Sequence, residues 1–159
     1  MINTANTADR PMKYSEGAIG RVFILTLKSG DILHESVERF ASEKHISAAT
    51  VIAVGGADKG SRLTVGPKIP LTSPIQPLYH ELDGPHELTG TGTIFENGDG
   101  KPVMHMHCSC GRDSRSVTGC VRAGVVVWLT MEVVITEIKG ASARRLPDKD
   151  SGFELLTVG

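Results

Sequence analysis

The run Val125–Ile138 (VVVWLTMEVVITEI) constrains the fold more than any other stretch. It is apolar at odd and even positions alike and rich in β-branched residues, so it reads as one long strand. It falls short of the roughly 18 apolar residues a membrane-crossing helix needs, and no other stretch of the chain reaches that length. A strand apolar on both faces must be covered on both, by a second packed layer or by another subunit. The composition agrees with a sheet: 18 glycines, frequent Val, Ile and Thr, and only 4 % aromatic residues.

The rest of the chain reads as alternating short runs and turns. Residues 1–17 are polar and read as a flexible N-terminal arm without the basic and apolar regions of a secretory signal. Residues 18–159 form one domain with no repeat and no linker. Strands are expected over 20–27, 47–54, 61–65 (as an antiparallel partner of 47–54), 78–82, 87–96, 102–109 and 153–158, the last as an edge strand. Gly55-Gly56 should stop the second of these. Leu33, Val37, Phe40 and Ala41 fall on one helical stripe, with Asp31 as the expected N-cap. Pro67, Pro70, Pro74 and Pro77 mark a loop or ragged edge. Asn97-Gly98-Asp99-Gly100 is a hairpin signal between two strands. The expected class is α+β, a single domain with a mostly antiparallel β-sheet core and a few helices.

Charge and cysteine usage narrow the function classes. Seventeen Lys+Arg against 18 Asp+Glu give a net charge of −1, which leaves no footprint for sequence-independent DNA binding through counterion release. Few aromatic residues argue against stacking of single-stranded bases. Three cysteines, two of them one residue apart (Cys108 and Cys110), do not make a disulfide framework. A soluble protein of a reducing, cytoplasmic compartment is the expectation.

The chemistry-bearing segment is Val103-Met104-His105-Met106-His107-Cys108-Ser109-Cys110. Side chains alternate on a strand, so His105 and His107 share a face and can share an ion, while Cys108 and Cys110 point the other way. Cys120 lies beyond a polar turn, where the chain can return beside this strand. Two imidazoles and one thiolate leave a fourth position open, as in catalytic zinc sites; zinc, copper, iron and nickel all suit imidazole nitrogen. The competing reading is two half-exposed, hydrogen-bonded histidines and a small buried thiol. Pairing Asn97 with Gly100 places Gly92 opposite His105 and Gly90 opposite His107, a pocket floor with room for an ion and a small ligand. Glu132 interrupts the long apolar strand and needs a partner: an ion pair with Arg112, Arg115 or Arg122, or acid/base work at the metal. His34 and His45 are accounted for by surface positions; His80 and His86 flank the Asp83-Gly84-Pro85 turn, whose polarity explains them, and either is an alternative further ligand. There is no nucleophile elbow, no phosphate-binding loop and no dinucleotide fingerprint.

Several segments together resemble one family. These are Gly20-Arg21-Val22-Phe23 with Gly30-Asp31-Ile32-Leu33, Ile46–Gly56, Glu87–Gly92, Gly100–His107, Glu132–Glu137 and Arg145–Leu156. The chain resembles, over roughly Gly20 to Val158, the plants-and-prokaryotes-conserved (PPC, or PCC) domain, whose bacterial members are called PD1-like candidate DNA-binding proteins. The resemblance implies an antiparallel α+β fold assembled as a homotrimer. It also implies a metal site, since prokaryotic members carry H-x-H followed by G-G-H; His105 and His107 match the first two histidines. Thr118-Gly119-Cys120 stands where the third is expected, so a thiolate would replace an imidazole. The disposition is similar to that of acetolactate decarboxylase, whose three-histidine zinc polarises a substrate carbonyl. Plant members bind DNA mainly through an AT-hook with an R-G-R-P core; Arg144-Arg145-Leu146-Pro147 is the nearest cluster and lacks the glycine. Two functions follow: a trimeric metal-binding domain with a small-molecule pocket, or a DNA-associated regulatory scaffold.

Overall fold

The computed structural model describes residues 12–69, 75–149 and 151–159. Among them the elements run β1 (Ala18–Lys28), α1 (Leu33–Glu43), β2 (Ala48–Ala57), β3 (Arg62–Pro67), β4 (Pro77–Glu81), β5 (His86–Glu96), β6 (Pro102–Arg112), β7 (Arg115–Cys120), a 3-10 turn (Val121–Ala123), β8 (Val127–Lys139), β9 (Ala143–Pro147) and β10 (Glu154–Val158). Eight strands form one antiparallel sheet in the order β1-β8-β2-β5-β6-β7-β3-β4, and β9 and β10 make a separate two-stranded ribbon. The mostly antiparallel α+β class is as the sequence predicts. A single α-helix and one 3-10 turn stand among the described residues in place of several helices. Most of the expected arm, and Pro70 and Pro74, lie outside the described residues.

One face of the sheet carries the core. Met131, Val133 and Ile135 of β8, Val51 and Ala53 of β2, and Ile94, Met104 and Met106 of β5 and β6 are all buried there. Leu33, Val37 and Ala41 of α1 are buried too, and Phe40 meets Phe23 of β1 edge-on with centroids 5.3 Å apart. Burial of each such aliphatic side chain contributes roughly 1.5–3 kcal/mol. Arg21 ties helix to sheet. Its guanidinium forks onto Glu137 at 2.6 and 2.8 Å and donates to the Lys44 carbonyl, just past the end of α1. These bonds hold the Glu137 carboxyl at about 2, well below its ordinary range.

The long β8 strand resolves into two faces. Its inner residues are covered, whereas Val134 lies beside Ile24 of β1 and Ile52 of β2 on the outer face. Ile24 and Ile52 are 81 % and 51 % exposed, so a single subunit covers only one face.

Several local expectations are corrected. Asp31 does not cap α1: its carboxylate accepts from the Lys28 N–H at 2.8 Å and closes the preceding turn, and Ile32 holds the cap position. Gly55-Gly56 does not stop β2. The strand runs through both glycines, where side chains would collide with the Thr130 and Trp128 carbonyls of β8. Leu129, at φ 60°, marks the matching irregularity in β8. Strand β3 does not pair with β2; it lies between β7 and β4, as the seventh strand of the sheet counted from β1. Strand β10 joins the β9 ribbon rather than the edge of the main sheet. Register shifts interrupt β1 between Ile19 and Val22, and β3 between Thr64 and Gly66.

Candidate metal centre

Alternation along β6 sends Met104, Met106, Cys108 and Cys110 into the core and leaves His105 and His107 exposed on the outer face. The Cys108 and Cys110 sulfurs lie 3.8 Å apart beneath the sheet, and the Cys108 thiol is pushed far up by its bond to Cys110 and by burial. Neither thiol shares a face with the imidazoles, as the parity of the sequence predicts.

Strand β7 brings in the third candidate ligand. Residues Asp113 and Ser114 turn the chain, and antiparallel pairing with β6 sets Cys120 directly beside His107. One ligand atom from each of His105, His107 and Cys120 lies within 4.8 Å of the others. The two Nε2 atoms are 3.2 Å apart, close to the roughly 3.3 Å expected of two nitrogens bound to one tetrahedral ion at about 2.0–2.1 Å. Two protonated rings at 3.2 Å would repel by about 5 kcal/mol at an effective dielectric constant near 20. Burial, then the charges of Arg145, His107 and Arg122, lower the His105 pKa, which favours the neutral, ligating imidazole. The donor set therefore fits a divalent transition metal.

The pocket floor is corrected. The hairpin loop holds one more residue than the simple pairing assumed: Asn97 donates its N–H to Lys101 at 2.9 Å, and Gly100 sits at φ 75°. This is the three-residue loop with a left-handed glycine. Register moves by one, so Thr93 opposes His105, Thr91 opposes His107, Gly92 opposes Met106 and Gly90 opposes Cys108. A one-residue shift exchanges the faces. Gly90 and Gly92 thus lie on the core side, where a Cβ on Gly92 would sit 2.6 Å from the Met106 Cβ and from the His105 carbonyl oxygen. Threonines, not glycines, flank the imidazoles.

Glu132 is not brought to the triad within a subunit. It is exposed on β8, opposite Thr26 and Val54, and three strand spacings, with β2 and β5 between, separate it from His107. At about 4.8 Å per strand that is roughly 14 Å. It also makes no ion pair among the described residues; the paired carboxylate of β8 is Glu137.

Two arginines that the sequence reading considered in other roles, Arg122 as a partner for Glu132 and Arg145 as part of a basic cluster, border the site. Arg145 of β9 is only 3 % exposed; it donates to Thr93 Oγ1 at 2.9 Å and to the Val103 carbonyl at 3.3 Å. Arg122, in the 3-10 turn after Cys120, reaches the Met104 carbonyl at 3.5 Å. Alternation within Ala143–Pro147 would have marked Arg145 as inward-facing had that short strand been recognised.

A family model, the Plants and Prokaryotes Conserved (PCC) domain, matches residues 14–139. Among proteins of curated function no match is found. A metal-containing protein from Archaeoglobus fulgidus is similar in structure, with a TM-score of 0.78 and 26 % identity, covering 92 % of this chain and 99 % of that one. A plant- and prokaryote-conserved protein from Pyrococcus horikoshii gives 0.74 and 22 %, covering 90 % and 97 %. A Ralstonia eutropha protein, provisionally called DNA-binding, gives 0.66 and 20 %, covering 86 % and 90 %.

Proposed function

The chain belongs to the Plants and Prokaryotes Conserved domain family, and from that premise we propose that it is a metal-binding member in which His105, His107 and Cys120 hold a zinc-class divalent ion. The observation that carries this reading is the convergence of three donor atoms within 4.8 Å. Fold likeness to a metal-containing protein supports it. Such an ion supplies Lewis acidity toward an oxygen of a small molecule. The chain's own part is to hold both imidazoles on hydrogen-bonded strands and to line their surroundings with the Thr91 and Thr93 side chains. The thiolate of Cys120 would lower the net charge of the centre relative to a three-histidine set.

The proposal extends to a homotrimer in the cytoplasm. The exposed apolar stripe of Ile24, Ile52 and Val54 on the outer face supports self-association, because a patch of this kind marks an interaction surface. Three free cysteines are consistent with a reducing compartment.

Elemental analysis of purified protein together with its mass in solution tests the reading. About one zinc-like ion per chain is expected, lost in His105→Ala. Protein that stays metal-free after reconstitution, or a His105→Ala variant with unchanged metal, rejects it. A salt-dependent shift of duplex DNA in the metal-free protein would instead favour the DNA-associated scaffold.

A further inference from the structure

We propose that the open side of the triad recognises an oxyanion, a carboxylate or phosphate group of a small molecule, through Arg145 and Arg122. The inference takes the location of the reacting centre from the metal reading, but its own grounds are the two guanidinium groups.

Arg145 is the first of these grounds. A guanidinium that is 97 % withdrawn from solvent normally has a carboxylate against it, because an unpaired buried charge is costly. Arg21, by contrast, is half exposed and still forks onto Glu137. Among the described residues no carboxylate lies within ion-pair distance of Arg145. The acidic groups that act on it are Glu154, Cys120 and Glu38, and a Glu38 oxygen is already committed to the Met104 N–H at 2.8 Å. Arg145 is held instead by two neutral oxygens, Thr93 Oγ1 and the Val103 carbonyl, through Nη2 and Nε. Five N–H donors are available on a guanidinium, and its Nη1 makes no hydrogen bond among the described residues.

Position supplies the second ground. Thr93 is the cross-strand partner of His105, and Val103 precedes His105 by two residues on the same face of β6. Arg122 is anchored on the neighbouring Met104 carbonyl from the opposite, β7 side. Two guanidinium groups are thus anchored on the strand neighbours and the cross-strand partner of His105, beside a centre that would itself carry positive charge once a divalent ion is bound. Planar, forked donors beside such a centre suit a two-oxygen anionic group.

The test is calorimetric titration of inorganic phosphate and, separately, malonate at low ionic strength, into zinc-loaded and zinc-stripped protein, with zinc content measured in parallel. At least one anion should bind both forms, the loaded form more tightly. Arg122→Gln, at an exposed position, and Arg145→Lys should each weaken that binding tenfold or more with zinc content unchanged. The preferred anion identifies the group as phosphate or carboxylate. Absence of binding by both anions to both forms overturns the proposal. So does binding that neither arginine substitution weakens, since the anion would then be held by the metal alone. Arginine-dependent anion binding in a protein that takes up no zinc would sustain this proposal and reject the metal reading.

Discussion

Removal of the proposed metal offers the sharpest test of how the site is built. All three candidate ligands come from two adjacent, hydrogen-bonded strands inside an eight-stranded sheet. The donor atoms lie within 4.8 Å of one another on strands whose pairing rests on backbone hydrogen bonds alone. The metal-free protein should therefore stay folded, unlike small zinc domains whose sheet or helix forms only with metal. Zinc should still stabilise it by mass action. At free zinc a thousandfold above the dissociation constant the gain is about 4 kcal/mol. For a domain of this size each kcal/mol moves the melting temperature by roughly 2–4 °C, so a rise of about 8–16 °C is expected. Differential scanning calorimetry with and without zinc measures it, and far-ultraviolet circular dichroism should remain the same in both states. His105→Ala should abolish the shift, whereas Glu132→Gln, three strands away, should keep all of it. Loss of secondary structure on chelation would refute the preformed site. An equal shift in His105→Ala would refute its ligand set.

Three further outcomes follow from the packing. Gly92→Ala presses a methyl group against Met106 and the His105 carbonyl; it should cost about 1–3 kcal/mol in chemical denaturation yet leave zinc content intact, and a loss of zinc with unchanged stability would restore the pocket-floor role. Glu137, held at about 2 by Arg21 against an ordinary 4.5, binds fewer protons folded than unfolded between those values. Its contribution is therefore complete above about pH 4.5 and is lost as pH falls toward 2. The urea midpoint of Glu137→Gln should be lower than wild type at pH 6, with the difference shrinking on acidification; a constant difference would remove Glu137 from the acid response. Ile52→Glu places a charge in the outer apolar stripe and should lower the solution mass to that of a monomer with the zinc shift retained, as sedimentation would report.

Much of this architecture was legible because alternation is a local property. Every strand of the main sheet except β7 announces itself by side-chain parity and turn residues; β7 was legible only as a return of the chain at Cys120. The same parity separates His105 and His107 from Cys108 and Cys110 without any tertiary information. What escaped depends on contacts the one-dimensional pattern does not carry. The loop at Asn97 gains its extra residue from hydrogen bonds to the Asn97 side chain, whose Oδ1 accepts from Asp99 and Lys101, and that small choice decides which residues face the imidazoles. Asp31 had two nearby N–H groups to serve and serves the turn. Glu132 interrupts an apolar run, which suggests burial, but the outer face of β8 is open at that point within one subunit. Arg145 sits on a five-residue strand too short to show a period.

The margins of the sheet bear on how copies of the chain can meet. At one side the register of β1 slips between Ile19 and Val22; at the other, β4 opens with Pro77 and borders the slipped stretch of β3. An incoming strand would find a regular edge on β1 only from Val22 to Lys28, and on β4 it would meet Pro77. Lateral strand addition is thereby hindered, which leaves the broad flank of the sheet as the meeting surface for the proposed self-association.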